Sequence, residues 1–311
     1  MKSMTNTEQA ASHLAKKPTL LNDYFELTKI RLSLLTVITT GVGFIMASPN
    51  GIFWTTLLWT VIGTTACACS AATLNQLFEH AKDAKMNRTS NRPIPTGRIS
   101  KIHAFIFGSI IGYLGIAILA LLANINAAAI ALLTILIYLF AYTPLKTRTS
   151  LNTFIGAFVG ALPPLIGWVA ASDSLGRGGI VLAGILFIWQ IPHFLALAFM
   201  YKDDYKKGGF KMLATNDGEL VARISVIASL CLIPLNLFLT QIGATGFTFA
   251  GISIGLGCWI SWKSFQFWRQ RTITSARKLF FTTIIYLPLL LAAMLINRNF
   301  FQWTDYSALN V

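Results

Sequence analysis

Asn75, Glu79 and Asp83 recur at every fourth residue. On an α-helix a step of four returns to nearly the same bearing, drifting by about 40°. The three oxygen-bearing side chains therefore share one face. Hard oxygen donors grouped this way suit Mg²⁺, which takes one or two carboxylates and keeps positions for water and substrate phosphate. Arg88 and Arg92 follow, also four apart, and Arg is suited to clamping phosphate. Pro93 and Pro95 then stop any helix. A second acidic group, Asp203 and Asp204, lies beside Lys206, Lys207 and Lys211, with Gly208–Gly209 allowing a tight turn. Lys146 and Arg148 fall between the two groups, as does His193, which follows Pro192 inside an apolar run.

Each feature also has a plain reading. The stretch from Asn75 to Arg98 reads equally as a solvated basic loop after a membrane helix. Asp203 and Asp204 beside lysines read as surface ion pairs, and Lys146 and Arg148 as charges that orient the chain in a membrane. His193 reads as a neutral histidine bonded to a neighbouring helix. Its alternative is functional, because an ionisable residue inside a membrane span marks a site by default.

The elements that must hold these residues are apolar helices. Of 311 residues 55% are hydrophobic and only 12% charged, against about 25% charged in soluble domains, and the mean hydropathy is +0.63. Nine runs approach the ~20 residues that a bilayer requires: Leu32–Ser48, Ile52–Leu74, Ile102–Ala123, Ile125–Tyr142, Phe154–Ala171, Ile180–Met200, Val221–Gln241, Phe247–Trp262 and Leu279–Ile296. They are too long for strands and do not alternate. The expectation is an all-α polytopic membrane bundle of about nine transmembrane helices. Pro163–Pro164 is expected to interrupt the fifth. Residues 1–23 read as a polar cytoplasmic tail, 24–296 as one intramembrane domain and 297–311 as a short outer tail. Met1–Lys29 has no apolar core and is not expected to be a secretory signal.

Charge placement supports this map. Of the 25 Lys+Arg, all but Arg177 and Arg298 fall in loops on one side. By the positive-inside rule that side is cytoplasmic, with the N-terminus inside and the C-terminus outside. The net charge of +14 therefore reports membrane topology, and no nucleic-acid partner is implied. No acidic residue lies in the middle of a span, whereas ion-coupled transporters place their sites near the bilayer midplane. All four cysteines sit in apolar runs and read as buried thiols.

Taken together, the motifs resemble UbiA-type intramembrane prenyltransferases. The matching residues are Asn75-x-x-x-Glu79-x-x-x-Asp83-x-x-Met86-x-Arg88-Thr89-x-x-Arg92-Pro93, Tyr142-Thr143-Pro144-Leu145-Lys146-x-Arg148-Thr149-x-x-Asn152, Gly160-Ala161-x-Pro163-Pro164-x-x-Gly167-Trp168, Trp189-Gln190-Ile191-Pro192-His193-Phe194, and Asp204-Tyr205 with Met212-Leu213. The likeness runs from about Tyr24 to Ile296. The wider superfamily has Asp where Glu79 stands, and two acids four apart where Asp203 and Asp204 are adjacent. In both respects the chain is similar to the haem-farnesylating branch. The resemblance implies Mg²⁺-dependent transfer of farnesyl from farnesyl diphosphate to a vinyl group of haem B, with water addition, in the bacterial cytoplasmic membrane. It implies catalytic roles for Asn75, Glu79, Asp83 and Lys146. Asn75, Glu79, Asp83, Asp203 and Asp204 become the metal-binding set, and Arg88, Arg92, Lys146 and Arg148 the diphosphate-binding set. It makes His193 a haem-binding residue, and membrane lipid and haem A synthase candidate partners. An aromatic or quinone precursor remains the alternative acceptor.

Overall fold

The computed structural model describes residues 19–298, apart from the side chains of Arg31, Leu32, Thr215 and Asn216. Residues 1–18 of the polar tail and 299–311 of the outer tail lie outside the described residues. The described chain is helical, with one isolated bridge, Thr245 to Arg298. A short helix α1 (Leu20–Leu27) precedes α2 (Ile30–Met46), α3 (Trp54–Asp83), α4 (Lys101–Leu122) and α5 (Ile125–Leu136). A π-helical turn, Ile137–Tyr142, leads into α6 (Thr143–Arg148), followed by α7 (Asn152–Ser172) and α8 (Arg177–Met200). Two short helices, α9 (Lys202–Lys207) and α10 (Leu213–Asn216), lead into α11 (Gly218–Gln241), α12 (Phe247–Gln270) and α13 (Ile273–Ile296).

Every expected span coincides with a long helix. Seven of them, α3, α4, the run Ile125–Arg148, α7, α8, α11 and α13, are long and apolar enough to cross a membrane. α2 is shorter, and the α12 sequence carries Gln and basic residues into its last turns. A helix satisfies its own backbone polar groups, which hydrocarbon cannot do. Apolar side chains such as Ile102, Leu121, Phe140 and Phe247 stay exposed on the outside of the bundle, where lipid covers them.

Three expectations are corrected. Cys231 and Cys258, expected to be buried, are exposed, and only Cys67 and Cys69 are buried. The second span does not end at Leu74, because α3 continues to Asp83. Its 30 residues make it about 45 Å long at 1.5 Å per residue, against a hydrocarbon core of about 30 Å. Its last turns therefore stand at the membrane boundary as ordered helix, and a solvated loop begins only at Ala84. Pro163–Pro164 does not interrupt the fifth span, and α7 runs unbroken around the pair. The prolines are buried against α2, where the Thr40 hydroxyl donates to the Pro163 carbonyl at 3.1 Å.

Small residues set the close crossings. A Cβ on Gly43 would lie 2.0 Å from the Pro164 carbonyl oxygen, and one on Gly167 1.8 Å from that of Thr40. Backbone cannot yield there, so α2 and α7 meet at a distance that only glycine permits. The π turn has a local cause. Pro144 has no N–H to return to the Phe140 carbonyl, and the Thr143 N–H bonds Tyr138 five residues back. This widening brings Tyr138 and Tyr142 to the same cavity.

The basic end is closed by short elements. The Gln76 amide donates to the Glu26 and Leu27 carbonyls at 2.8 and 2.9 Å, satisfying the free end of α1. Arg98 Nε lies 2.8 Å from the buried Asp23 carboxylate. The backbone N–H of Lys211 donates to the Lys146 carbonyl at 2.8 Å, and the Asn152 amide donates to the Lys211 carbonyl at 2.8 Å. The loops carrying the basic residues are thus tied together.

Candidate active site

The last turns of α3 face inward. Asn75, Glu79 and Asp83 are 0%, 4% and 1% exposed, whereas Phe78, about 100° around the helix from Glu79, faces out. Each inward group has a partner from another part of the chain. The Lys29 ammonium donates to Asn75 Oδ1 at 3.1 Å, and Asn75 Nδ2 donates to the Thr143 hydroxyl at 2.9 Å. Lys146 Nζ stands 2.9 Å from Glu79 Oε1. Arg92 reaches back nine residues to Asp83 Oδ2 at 2.6 Å. Buried carboxylates require such pairing. Lys29, which holds a left-handed backbone at φ 49°, is pulled down to about 7 by burial first, then by the nearby charges of Arg92 and Lys146.

Aromatic faces flank the cations. Lys146 Nζ lies 4.5 Å from the Tyr142 ring centre, and the Arg88 guanidinium 5.5 Å from Tyr201 and 5.7 Å from Tyr205. Such contacts orient a cation while leaving its hydrogen-bond donors available.

The second acidic pair behaves differently. Asp204 Oδ1 accepts from the Asn87 N–H at 3.0 Å, and Oδ2 from the Arg88 N–H at 3.3 Å. It thereby fastens α9 to the loop that carries Arg88. Asp203 is exposed. Both line a separate surface depression with Asn87, Arg88 and Lys207.

A cavity of about 420 Å³ runs inward from the basic rim. Lys29, Glu79, Asp83, Arg88, Arg92 and Lys146 line its mouth, Tyr138 and Tyr142 its side, and Gln190, Trp189, His193 and Phe194 its far wall. His193 lies between Trp189 and Phe280, with ring centres 5.3 and 4.7 Å away and interplanar angles of 23° and 27°. Its Nδ1 is 2.8 Å from the Thr283 hydroxyl. Gly160 leaves room for Gln190, whose Oε1 would lie 2.0 Å from a Cβ there.

Six of the residues singled out from sequence, Glu79, Asp83, Arg88, Arg92, Lys146 and His193, thus share one cavity. Asn75 stands behind it, bonded to Lys29 and Thr143. Asp203, Asp204 and the exposed Arg148 do not line it. Among the described residues no three His, Cys, Asp or Glu side chains stand close enough to share a metal ion. The two carboxylates at the mouth, Glu79 and Asp83, nonetheless fit Mg²⁺, which draws its remaining ligands from water and phosphate. Sequence reading missed Lys29, Tyr138 and Thr283, and gave Tyr142 no role beyond its place in a motif. Lys29 carries a signal in retrospect, as one of two cations, with Arg31, just before the first apolar run.

The model of the UbiA prenyltransferase family matches residues 36–295. A mitochondrial protoheme IX farnesyltransferase of Arabidopsis thaliana is 41% identical over 278 residues, covering 88% of this chain and 64% of that protein. A protoheme IX farnesyltransferase of Solibacter usitatus is 39% identical over 289 residues, covering 89% and 99%. The human mitochondrial protoheme IX farnesyltransferase is 40% identical over 269 residues, covering 86% and 60%. The chain thus spans less than two thirds of these two mitochondrial relatives and nearly all of the bacterial one. Among solved structures, a digeranylgeranylglyceryl phosphate synthase superposes with a TM-score of 0.76 at 18% identity, covering 90% of this chain and 98% of that one. A UbiA homologue from Archaeoglobus fulgidus bound to GPP and Mg²⁺ superposes with a TM-score of 0.67 at 14% identity, covering 88% and 99%.

Proposed function

The chain belongs to the UbiA prenyltransferase family, and on that premise we propose that it transfers farnesyl from farnesyl diphosphate to a vinyl group of haem B. It is a prenyltransferase and a multi-pass integral membrane protein, and the membrane we assign is the bacterial cytoplasmic one, with the N-terminus inside. The observation that carries the reading is the polarity of the cavity. Paired carboxylates and cations occupy the mouth, and an imidazole held between aromatic rings stands at the far wall. The names of the relatives support haem as acceptor.

Lys29, Arg88, Arg92 and Lys146 bind the diphosphate. Glu79 and Asp83, with Asn75, would hold Mg²⁺, which when bound supplies Lewis-acid neutralisation of the leaving diphosphate. The ion pairs Glu79–Lys146 and Asp83–Arg92 keep both signs compensated before substrate arrives, since a buried charge left alone is costly. With diphosphate present the cations turn to phosphate oxygen. An anion beside Lys29 also restores the charge that burial weakens. The allylic C–O bond then breaks with its electron pair leaving on diphosphate. The apolar cavity keeps water from the farnesyl cation. The vinyl group supplies the electrons of the new C–C bond, and water adds to the resulting cation on the haem side with loss of a proton. His193 contacts the haem.

The test is purified protein with haem B, farnesyl diphosphate and Mg²⁺, followed by mass spectrometry of the extracted haem. A product heavier by farnesyl plus water, absent with chelator, is expected. Diphosphate release with an unmodified haem, together with a prenylated product in a parallel reaction supplied with 4-hydroxybenzoate, would move the acceptor to an aromatic ring.

A further inference from the structure

Thr283, on α13, is fully buried and belongs to none of the sequence motifs. Its carbonyl accepts from Trp189 Nε1 at 2.9 Å. Its hydroxyl lies 2.6 Å from the Phe280 carbonyl and 2.8 Å from His193 Nδ1. A hydroxyl has one proton, and a carbonyl can only accept. The proton therefore goes to Phe280, and the Thr283 oxygen accepts from His193 Nδ1–H. A neutral imidazole protonated at Nδ1 keeps its lone pair at Nε2. Nε2 has no hydrogen-bond partner among the described residues, and the ring, stacked on Trp189 and Phe280, forms part of the cavity wall.

We infer that Thr283 is the positioning residue that fixes the tautomer and orientation of His193, so that Nε2 is presented as an electron-pair donor to the iron of the tetrapyrrole substrate. The inference rests on the haem reading above. Metal-binding histidines commonly donate the other ring N–H to a second partner, and losing that partner weakens metal affinity about 10–100-fold. Thr283→Val removes the acceptor at nearly constant volume and leaves the backbone carbonyl that holds Trp189.

The experiment titrates full-length protein with haem B, reading Soret absorption and the iron–histidine stretch by resonance Raman, and measures farnesyl diphosphate affinity separately. Wild type and Thr283→Ser are expected to give a histidine-ligated haem that His193→Ala lacks. Thr283→Val should bind haem B about tenfold more weakly or worse and lose the iron–histidine band, with farnesyl diphosphate affinity unchanged within twofold. A Thr283→Val protein with wild-type haem affinity and band would overturn the positioning role and leave the acceptor reading standing. Parallel loss of farnesyl diphosphate binding would reduce Thr283 to a packing residue. An iron–histidine band that persists in His193→Ala would overturn ligation. Wild type that binds no haem B would overturn the acceptor reading and the positioning role with it.

Discussion

The two acidic groups look alike in sequence. Each ends a long apolar run, and each has basic neighbours. The structure separates them by burial. Glu79 and Asp83 are almost inaccessible and face cations contributed from outside α3. Asp203 is exposed, and Asp204 is turned onto the backbone of the Asn87–Arg88 loop. Composition places acids at a boundary, but the length of the helix beneath them decides what they do. α3 continues to Asp83 and so carries its acids into the bundle, whereas α8 stops at Met200 and releases the second pair to the surface. The first group is built for substrate charge and the second for holding a loop that supplies Arg88.

That contrast can be broken at several points. Lys146→Met should have the largest effect, because it strands Glu79 buried and unpaired. Removing one partner of a buried pair typically costs about 3–5 kcal/mol. Thermal unfolding in detergent should show a large drop, with most of it restored in the Glu79→Gln/Lys146→Met double variant. Asp83→Asn and Glu79→Gln should lower the rate of diphosphate release about 10²–10³-fold, the scale of losing a preorganised electrostatic contact, while the protein still inserts in the membrane.

Asp204→Asn should cost less. It weakens two charge-assisted bonds to backbone N–H groups, worth about 1.5–3 kcal/mol for hydrogen bonds to a charged group. It should appear mainly as a roughly tenfold higher KM for farnesyl diphosphate, through the loosened Arg88 loop. If Asp204→Asn matched Asp83→Asn in rate, the two regions would be equivalent ligands and the contrast would fail. Asp203→Asn and Arg148→Gln, at exposed positions, should change kcat/KM by less than twofold, since such surface changes stay within about ±0.5 kcal/mol.

Much of this architecture is legible in the residues. The apolar runs locate the helices of the bundle, seven of them long and apolar enough to cross a membrane among the described residues, and the four-residue spacing of Asn75, Glu79 and Asp83 places them on one face. The end of α3 is less legible, because polar residues after Leu74 read as a loop unless their own helical period is followed. Pro163–Pro164 misleads for a tertiary reason. Its helix survives because α2 packs against it through Gly43 and Thr40, a partnership about 120 residues distant in sequence. The partners of the site residues are hidden in the same way. Thr283 meets His193 across 90 positions, and Lys29 meets Asn75 across 46. Local pattern shows which groups carry chemistry, and only the fold shows which groups hold them.

The central claim is that the Glu79–Asp83 face is where the diphosphate leaves. The most direct measurement is Mg²⁺-dependent diphosphate release with haem B present, run in parallel on wild type, Asp83→Asn and Asp204→Asn. The account predicts release that saturates with Mg²⁺ in wild type and is nearly abolished in Asp83→Asn. In Asp204→Asn it should be restored by raising farnesyl diphosphate. Release by Asp83→Asn at the wild-type rate and Mg²⁺ dependence would contradict it.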